Sequence, residues 1–144
     1  MVTWQRFVQE APELAAAVEA RFRSAIHHVL ATVRVDGSPR VSGTEVDFRD
    51  DGGLALGSMA GARKAEDLLR DPRFALHAHP GDGSMAGGDA KLAGRAVEVE
   101  HGGEHHLFQL EIGEAVLTSL HPDGDRLVIE TWRPGQPVTR VERT

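Results

Sequence analysis

Leu54–Arg70 reads LALGSMAGARKAEDLLR, and it decides the fold because a strand, a turn and a helix follow one another within it. Leu54 to Met59 has the composition of a short strand, Ala60-Gly61-Ala62 is a small-residue turn, and a helical pattern starts at Arg63. Along that helix Ala65, Leu68 and Leu69 are expected to face inward, and Arg63, Lys64, Glu66 and Asp67 to reach solvent. Asp71-Pro72 stops it, since the residue before a proline is pushed out of helical geometry. Backbone N–H groups at a helix start are unpaired and lie at the positive end of the macrodipole. A basic pair placed there, Arg63 and Lys64, makes a ready phosphate site. The competing reading of that pair is an ordinary solvated helix face.

Upstream, Thr3 can cap one helical turn, and Pro12 with Glu13 can begin another. Leu14, Val18, Phe22 and Ile26 then recur at i+4, which predicts a helix packed through one apolar face. His27 to Val35 is a β-branched run, Asp36-Gly37-Ser38-Pro39 a turn, and Arg40 to Arg49 a second extended segment, together a β-hairpin. Val29, Ala31, Val33 and Val35 share one face of its first strand. The second strand, with Ser42, Gly43 and Thr44 at its centre, is too polar for a core strand. It suits a sheet edge, or backbone left open to a ligand.

Downstream, Phe74 to His79 is a strand, and Gly81 to Asp89 a loop whose composition cannot bury apolar surface. Ala90 to Glu100 and Leu107 to Leu120 are strands whose alternation breaks near Gly94 and Gly113, predicting bulges. His101 to His106 is a short connection, Asp125 to Trp132 the final strand, and Arg133 begins an exposed tail. Roughly seven strands joined mostly by hairpins, with one N-terminal and one internal helix, predict an antiparallel barrel. A parallel sheet would need helical crossovers. With no repeat and no linker, residues 1–144 are expected to form a single domain.

Composition narrows the function. A net charge of -6 argues against a nucleic-acid binder, and the absence of cysteine removes disulfides, thiolate metal sites and thiol nucleophiles. No apolar run reaches the ~20 residues that span a bilayer, so no membrane association and a soluble, cytoplasmic protein are expected. His77 and His79 alternate on a strand and His105-His106 sit in a connection. Imidazoles so placed can ligate a metal, but no spaced signature accompanies them, and no metal site is assigned. Lys91, on a strand beside Leu92 and Gly94, can meet an anionic ring or coenzyme tail, or can simply face solvent. Trp132 can stack on a ring system or belong to the core.

Three segments, ATVRVDGSPRVS from Ala31, GSMAGARKAEDLLRDPRFAL from Gly57 and KLAGRAVEVE from Lys91, carry a resemblance in their order and spacing. The chain resembles the pyridoxamine 5'-phosphate oxidase-like flavin-binding split-barrel proteins from about Val29 to Arg133. The resemblance implies a six- or seven-stranded Greek-key split barrel that forms a homodimer. FMN, or alternatively an 8-hydroxy-5-deazaflavin coenzyme, lies between the subunits and serves an oxidoreductase acting on a small organic substrate. By the same resemblance Arg63 and Lys64 grip the cofactor phosphate, Ser58 adds a hydroxyl, and Ser42, Gly43 and Thr44 run past the flavin ring. Trp132 and Arg133 come from the second subunit, and Lys91 is a further candidate for the cofactor.

Two departures qualify what the family implies. Ser42 and Asp47 stand where pyridoxamine phosphate oxidases carry basic residues, and their basic, His-containing C-terminal motif is absent, so pyridoxamine phosphate is not the expected substrate. The 101–106 connection has no room for the helix that walls the ligand cleft in many relatives, which leaves a more open cleft. A non-enzymatic carrier of a cofactor or tetrapyrrole would use the same pocket residues.

Overall fold

The computed structural model describes residues 1–102 and 104–144. Two short helices come first. In α1 (Trp4–Glu10) the Thr3 hydroxyl accepts the Arg6 N–H at 3.2 Å, and α2 (Pro12–Arg23) starts with Pro12, whose missing N–H costs nothing there. The helices bury Trp4, Phe7, Leu14, Val18 and Phe22 against the sheet. The i+4 series stops one member early: α2 ends at Arg23, and Ile26 is 69% exposed.

The strands are β1 (His28–Val33), β2 (Pro39–Thr44), β3 (Asp47–Phe48), β4 (Leu54–Met59), β5 (Arg73–His77), β6 (Asp89–Gly102), β7 (His105–Leu120), β8 (Leu127–Trp132) and β9 (Thr139–Arg143). Between β4 and β5 lies α3 (Arg63–Arg70). All pairings are antiparallel, in the order β2-β1-β5-β6-β7-β4-β3, with β8 on β7 and β9 on β8. β7 bends past three neighbours, pairing with β6 along its length, with β4 near its start and with β8 near its end. The sheet does not close. β2 and β3 are its two ends, and the chain steps from one to the other through Glu45 and Val46, so the barrel is split at that step.

Several expectations are corrected. The Arg40 to Arg49 segment is two strands on opposite ends of the sheet rather than one. The tail after Arg133 returns as β9. The His101 to His106 connection is mostly strand, because β6 runs to Gly102 and β7 starts at His105; Gly103 lies outside the described residues. The breaks near Gly94 and Gly113 are one shared irregularity, since the β6–β7 register shifts between Ala93 and Gly94. A Cβ at Gly94 would overlap the Glu111 carbonyl, so only glycine lets the strands cross there. In β1 the buried face is His28, Leu30 and Thr32, leaving Val29 exposed and Ala31 and Val33 half-buried on the other side. On α3, Ala65 and Leu68 are buried as expected, but Asp67 joins them and Leu69 is exposed.

Candidate functional site

The site is built on α3, and α3 is anchored by Asp67. That carboxylate, 2% exposed, accepts the Thr32 hydroxyl of β1 at 2.7 Å, the Arg40 Nε of β2 at 2.7 Å and the Arg70 Nη2 at 3.2 Å. Burial alone would raise its pKa, but the hydrogen bonds from Arg40, Thr32 and Arg70 and the charge of Arg40 outweigh it and hold the group at about 2. Arg70 continues to the Val33 carbonyl at 2.5 Å. The helix is thereby fixed to the β1–β2 hairpin.

Its N-terminus points elsewhere. Ala62, the N-cap, offers no side-chain acceptor to the first turn, so these N–H groups keep donors for a ligand. Arg63 is exposed and forms no ion pair among the described residues. Lys64 is half-buried, and its Nζ donates to the Gly43 carbonyl of β2 at 3.1 Å. Burial lowers the Lys64 pKa, partly offset by the charge of Glu45. An anion would relieve that cost, as the backbone carbonyl does only in part.

Beside this helix end lies a cleft of about 600 Å3 at the barrel's split, lined by Glu45 and Asp47 on one wall and by Ser58, Met59, His105 and His106 on the other. The volume is that of an ordinary small-molecule site. Ser58 is 7% exposed, and among the described residues its hydroxyl donates to its neighbour's carbonyl, Met59 O, at 3.3 Å. Ser58 is paired directly with His106 of β7, and the His106 Nδ1 lies 2.5 Å from Glu98 Oε2 on β6. The His106 ring stacks on Phe108, with centroids 6.1 Å apart and 25° between planes. Ser58 and His106 thus form a polar pair above Leu56 and Phe108, and Glu98, paired with Phe108, reaches His106 diagonally.

The expected site residues divide into two groups. Ser58 lines the cleft, and Arg63 and Lys64 open α3 beyond its Met59 wall, with Lys64 reaching Gly43 of β2, while Ser42 and Thr44 stand on β2 with their side chains on the face opposite Gly43. Lys91 lies apart, in a shallow hollow on the outer sheet face with Val29, Ala31 and His77. Trp132 is a core residue, 1% exposed and stacked on Phe7 at 4.6 Å, and Arg133 pairs with Glu114 at 2.5 Å. The cleft is also lined by His106, which the sequence did not assign to this site, with Glu98 bonded behind it. They come together across the β6–β7 hairpin with no local motif to announce them.

The four histidines weighed as metal ligands do not assemble. Among the described residues the one grouping of three ligand atoms is His121, Asp123 and Asp125, and Arg126 already bonds Asp125 at 2.7 Å within it. No helix among the described residues is long and apolar enough to cross a membrane.

Comparison with known proteins bears on what this cleft holds. PhzG from Burkholderia lata 383, solved with tetrahydrophenazine-1-carboxylic acid, superposes with a TM-score of 0.66 at 15% identity, covering 94% of this chain and 90% of that one. A pyridoxamine 5'-phosphate oxidase-related, FMN binding protein from Nostoc punctiforme PCC 73102 gives 0.67 at 12% identity, covering 93% and 96%. A heme binding protein from Mycobacterium smegmatis gives 0.56 at 20% identity, covering 88% and 57%. These likenesses share the split-barrel fold. A search of curated sequences finds no match. The family model described as pyridoxamine 5'-phosphate oxidase matches residues 14–132, which holds α3, the cleft and most of both hairpins, and the chain therefore belongs to the pyridoxamine 5'-phosphate oxidase family.

Proposed function

We propose that this chain binds FMN in the cleft at the barrel's split and acts as a flavin-dependent oxidoreductase on a small organic substrate other than pyridoxamine phosphate. The observation that carries the reading is the end of the cleft at α3. A helix start without a side-chain cap, Arg63 with no ion pair among the described residues, the partly buried Lys64 and the Ser58 hydroxyl form a donor set with the chemistry of a phosphate site. Bound FMN supplies the redox chemistry, and the protein binds and orients it. Beyond the Lys64 contact at Gly43, the backbone of β2 offers groups suited to the ring's polar edge. FMN is favoured over a deazaflavin coenzyme with a longer anionic tail. Of the basic residues available for such a tail, Arg40 is committed to Asp67, and Lys91 lies on the outer face.

The working form in this reading is a homodimer. Val41 is 70% exposed and Val29 39% exposed on the outer face of β1 and β2, an apolar strip that continues through Ala31, Ala75 and Ala93. A second copy of the chain covers such a strip with matching residues.

Titration of the purified protein with FMN, followed by flavin fluorescence, tests the site. Wild type is expected to bind in the micromolar range, and Arg63→Ala with Lys64→Ala to lose about a hundredfold. Absence of binding below about 1 mM, or an unchanged double variant, would overturn the reading. A second reading is a tetrapyrrole carrier, favoured by the heme binding protein among the structural neighbours. Titration with hemin in place of FMN, read at the Soret band, separates the two.

A further inference from the structure

The Glu98–His106 pair is not used by the phosphate site, yet its His106 lines the same cleft, with Glu98 bonded behind it. Its geometry is one-sided. Nδ1 faces a carboxylate, and the hydrogen of that contact belongs to the ring, since an ionised carboxylate only accepts. Nε2 is left without a partner among the described residues, on a ring whose plane is set by Phe108 beneath it. Glu98 pairs with Phe108, one diagonal step from His106, and the register shifts just beyond it, between Glu98 and Glu100. Bulges of this kind re-aim a side chain beside a functional site. Both side chains are about four-fifths buried, with exposures of 21% for His106 and 18% for Glu98. Fixing one imidazole nitrogen with a carboxylate defines what the other nitrogen offers, the logic that orients histidines in metal and catalytic sites.

The position of the pair identifies its ligand chemistry. Ser58 is the cross-strand partner of His106, and such partners stand about 5 Å apart on one face. A phosphate held by Ser58 and the α3 start therefore puts the next carbons of its ester chain in reach of His106. We propose that His106, oriented by Glu98, hydrogen-bonds through Nε2 to a hydroxyl of the polyol chain that adjoins the ligand phosphate, which makes the cleft selective for phosphorylated polyols. The inference rests on the phosphate-end reading above and adds a second recognition point to it. His106 touches the ligand; Glu98 is a positioning residue.

Three flavins separate the contacts: FMN has phosphate and polyol, riboflavin has polyol alone, and lumiflavin has neither. His106→Phe keeps the stack on Phe108 and removes the nitrogen. It is expected to weaken FMN and riboflavin alike, by about tenfold, and to leave lumiflavin unchanged. His106→Gln, which restores a polar terminus, is expected to recover part of the loss. Glu98→Gln is expected to weaken the same two ligands and spare lumiflavin. A loss confined to FMN would make His106 a phosphate contact, an equal loss for lumiflavin would make it a ring contact or a fold defect, and no loss would remove it from the site. Each of these overturns the proposal. Should wild type bind no flavin, the cofactor reading fails by itself. Ribose 5-phosphate titrated against the His106 imidazole NMR signals, assigned with His106→Phe, then decides the polyol contact. A perturbed His106 supports it, and an unperturbed one overturns it.

Discussion

The middle and the start of one eight-residue helix use charge in opposite ways. In the middle of α3, Asp67 is buried and saturated by donors from β1, β2 and its own helix. At the start, Arg63 forms no ion pair among the described residues, and Lys64 has the Gly43 carbonyl and the more distant charge of Glu45. The difference separates a charge that holds the fold from charges held ready by it. A buried carboxylate left without its partners is costly, whereas an exposed cation left alone is not.

The largest expected effect comes from breaking the middle. Asp67→Asn removes the acceptor charge from Arg40 and Arg70 and is expected to cost about 3 kcal/mol, measured by urea unfolding at neutral pH. Retained stability would show that the three contacts contribute little. Acid acts on the same group. Its pKa is depressed from 3.8 to about 2, so the stability it gives is complete above the unfolded value and is lost as pH falls through the folded one. Between roughly pH 4 and pH 2 the wild type is expected to lose about 2 kcal/mol that Asp67→Asn does not lose.

A smaller pH effect belongs to His28, buried at the start of β1, whose Nδ1 accepts the His79 N–H at 2.9 Å. Burial lowers its pKa below 6.5, against the Phe22 and Ala25 carbonyls that favour the protonated ring. The unfolded chain therefore takes up a proton first, and stability is expected to fall as pH drops below 6.5. Unfolding at pH 7.5 and 5.5, with His28→Gln as the reference, reads the difference, and equal slopes in the two proteins would exclude His28. The smallest effect is at the start of the helix. Arg63→Ala is expected to change stability by less than about 0.5 kcal/mol while weakening FMN, so the same substitution is nearly silent in unfolding and visible in binding. Comparable losses in both would erase the contrast between the middle and the start of α3.

Much of this architecture was legible where the chemistry is local. Pro12, the Asp36 to Pro39 turn, the Asp71-Pro72 stop and the break at Gly94 each act within a few residues, and the structure has each of them. Faces were harder. The apolar side of β1 is Val29, Ala31 and Val33, and hydrophobicity alone turns it inward. The buried side is His28, Leu30 and Thr32 because the His79 N–H and Asp67 satisfy its polar atoms from distant strands and helices. Asp67 itself looked like a solvent-facing residue for the same reason, since its partners lie 27 and 35 positions away. At the candidate site the α3 end was readable as a motif. Glu98 with His106 was not, because the two stand on different strands and no local spacing joins them.

The step from β2 to β3 carries a dynamic consequence. Glu45 and Val46 join two strands that share no ladder, so β2 and β3 are tied at the split by covalent chain rather than by paired backbone, and the Lys64 contact to Gly43 holds β2 to α3. The seam can breathe without breaking a sheet hydrogen bond, and its amides exchange with solvent ahead of those in the long β6–β7 ladder. A ligand that bridges from the helix start to β2 works there as a clasp, and its arrival is recorded as slowed exchange along the seam.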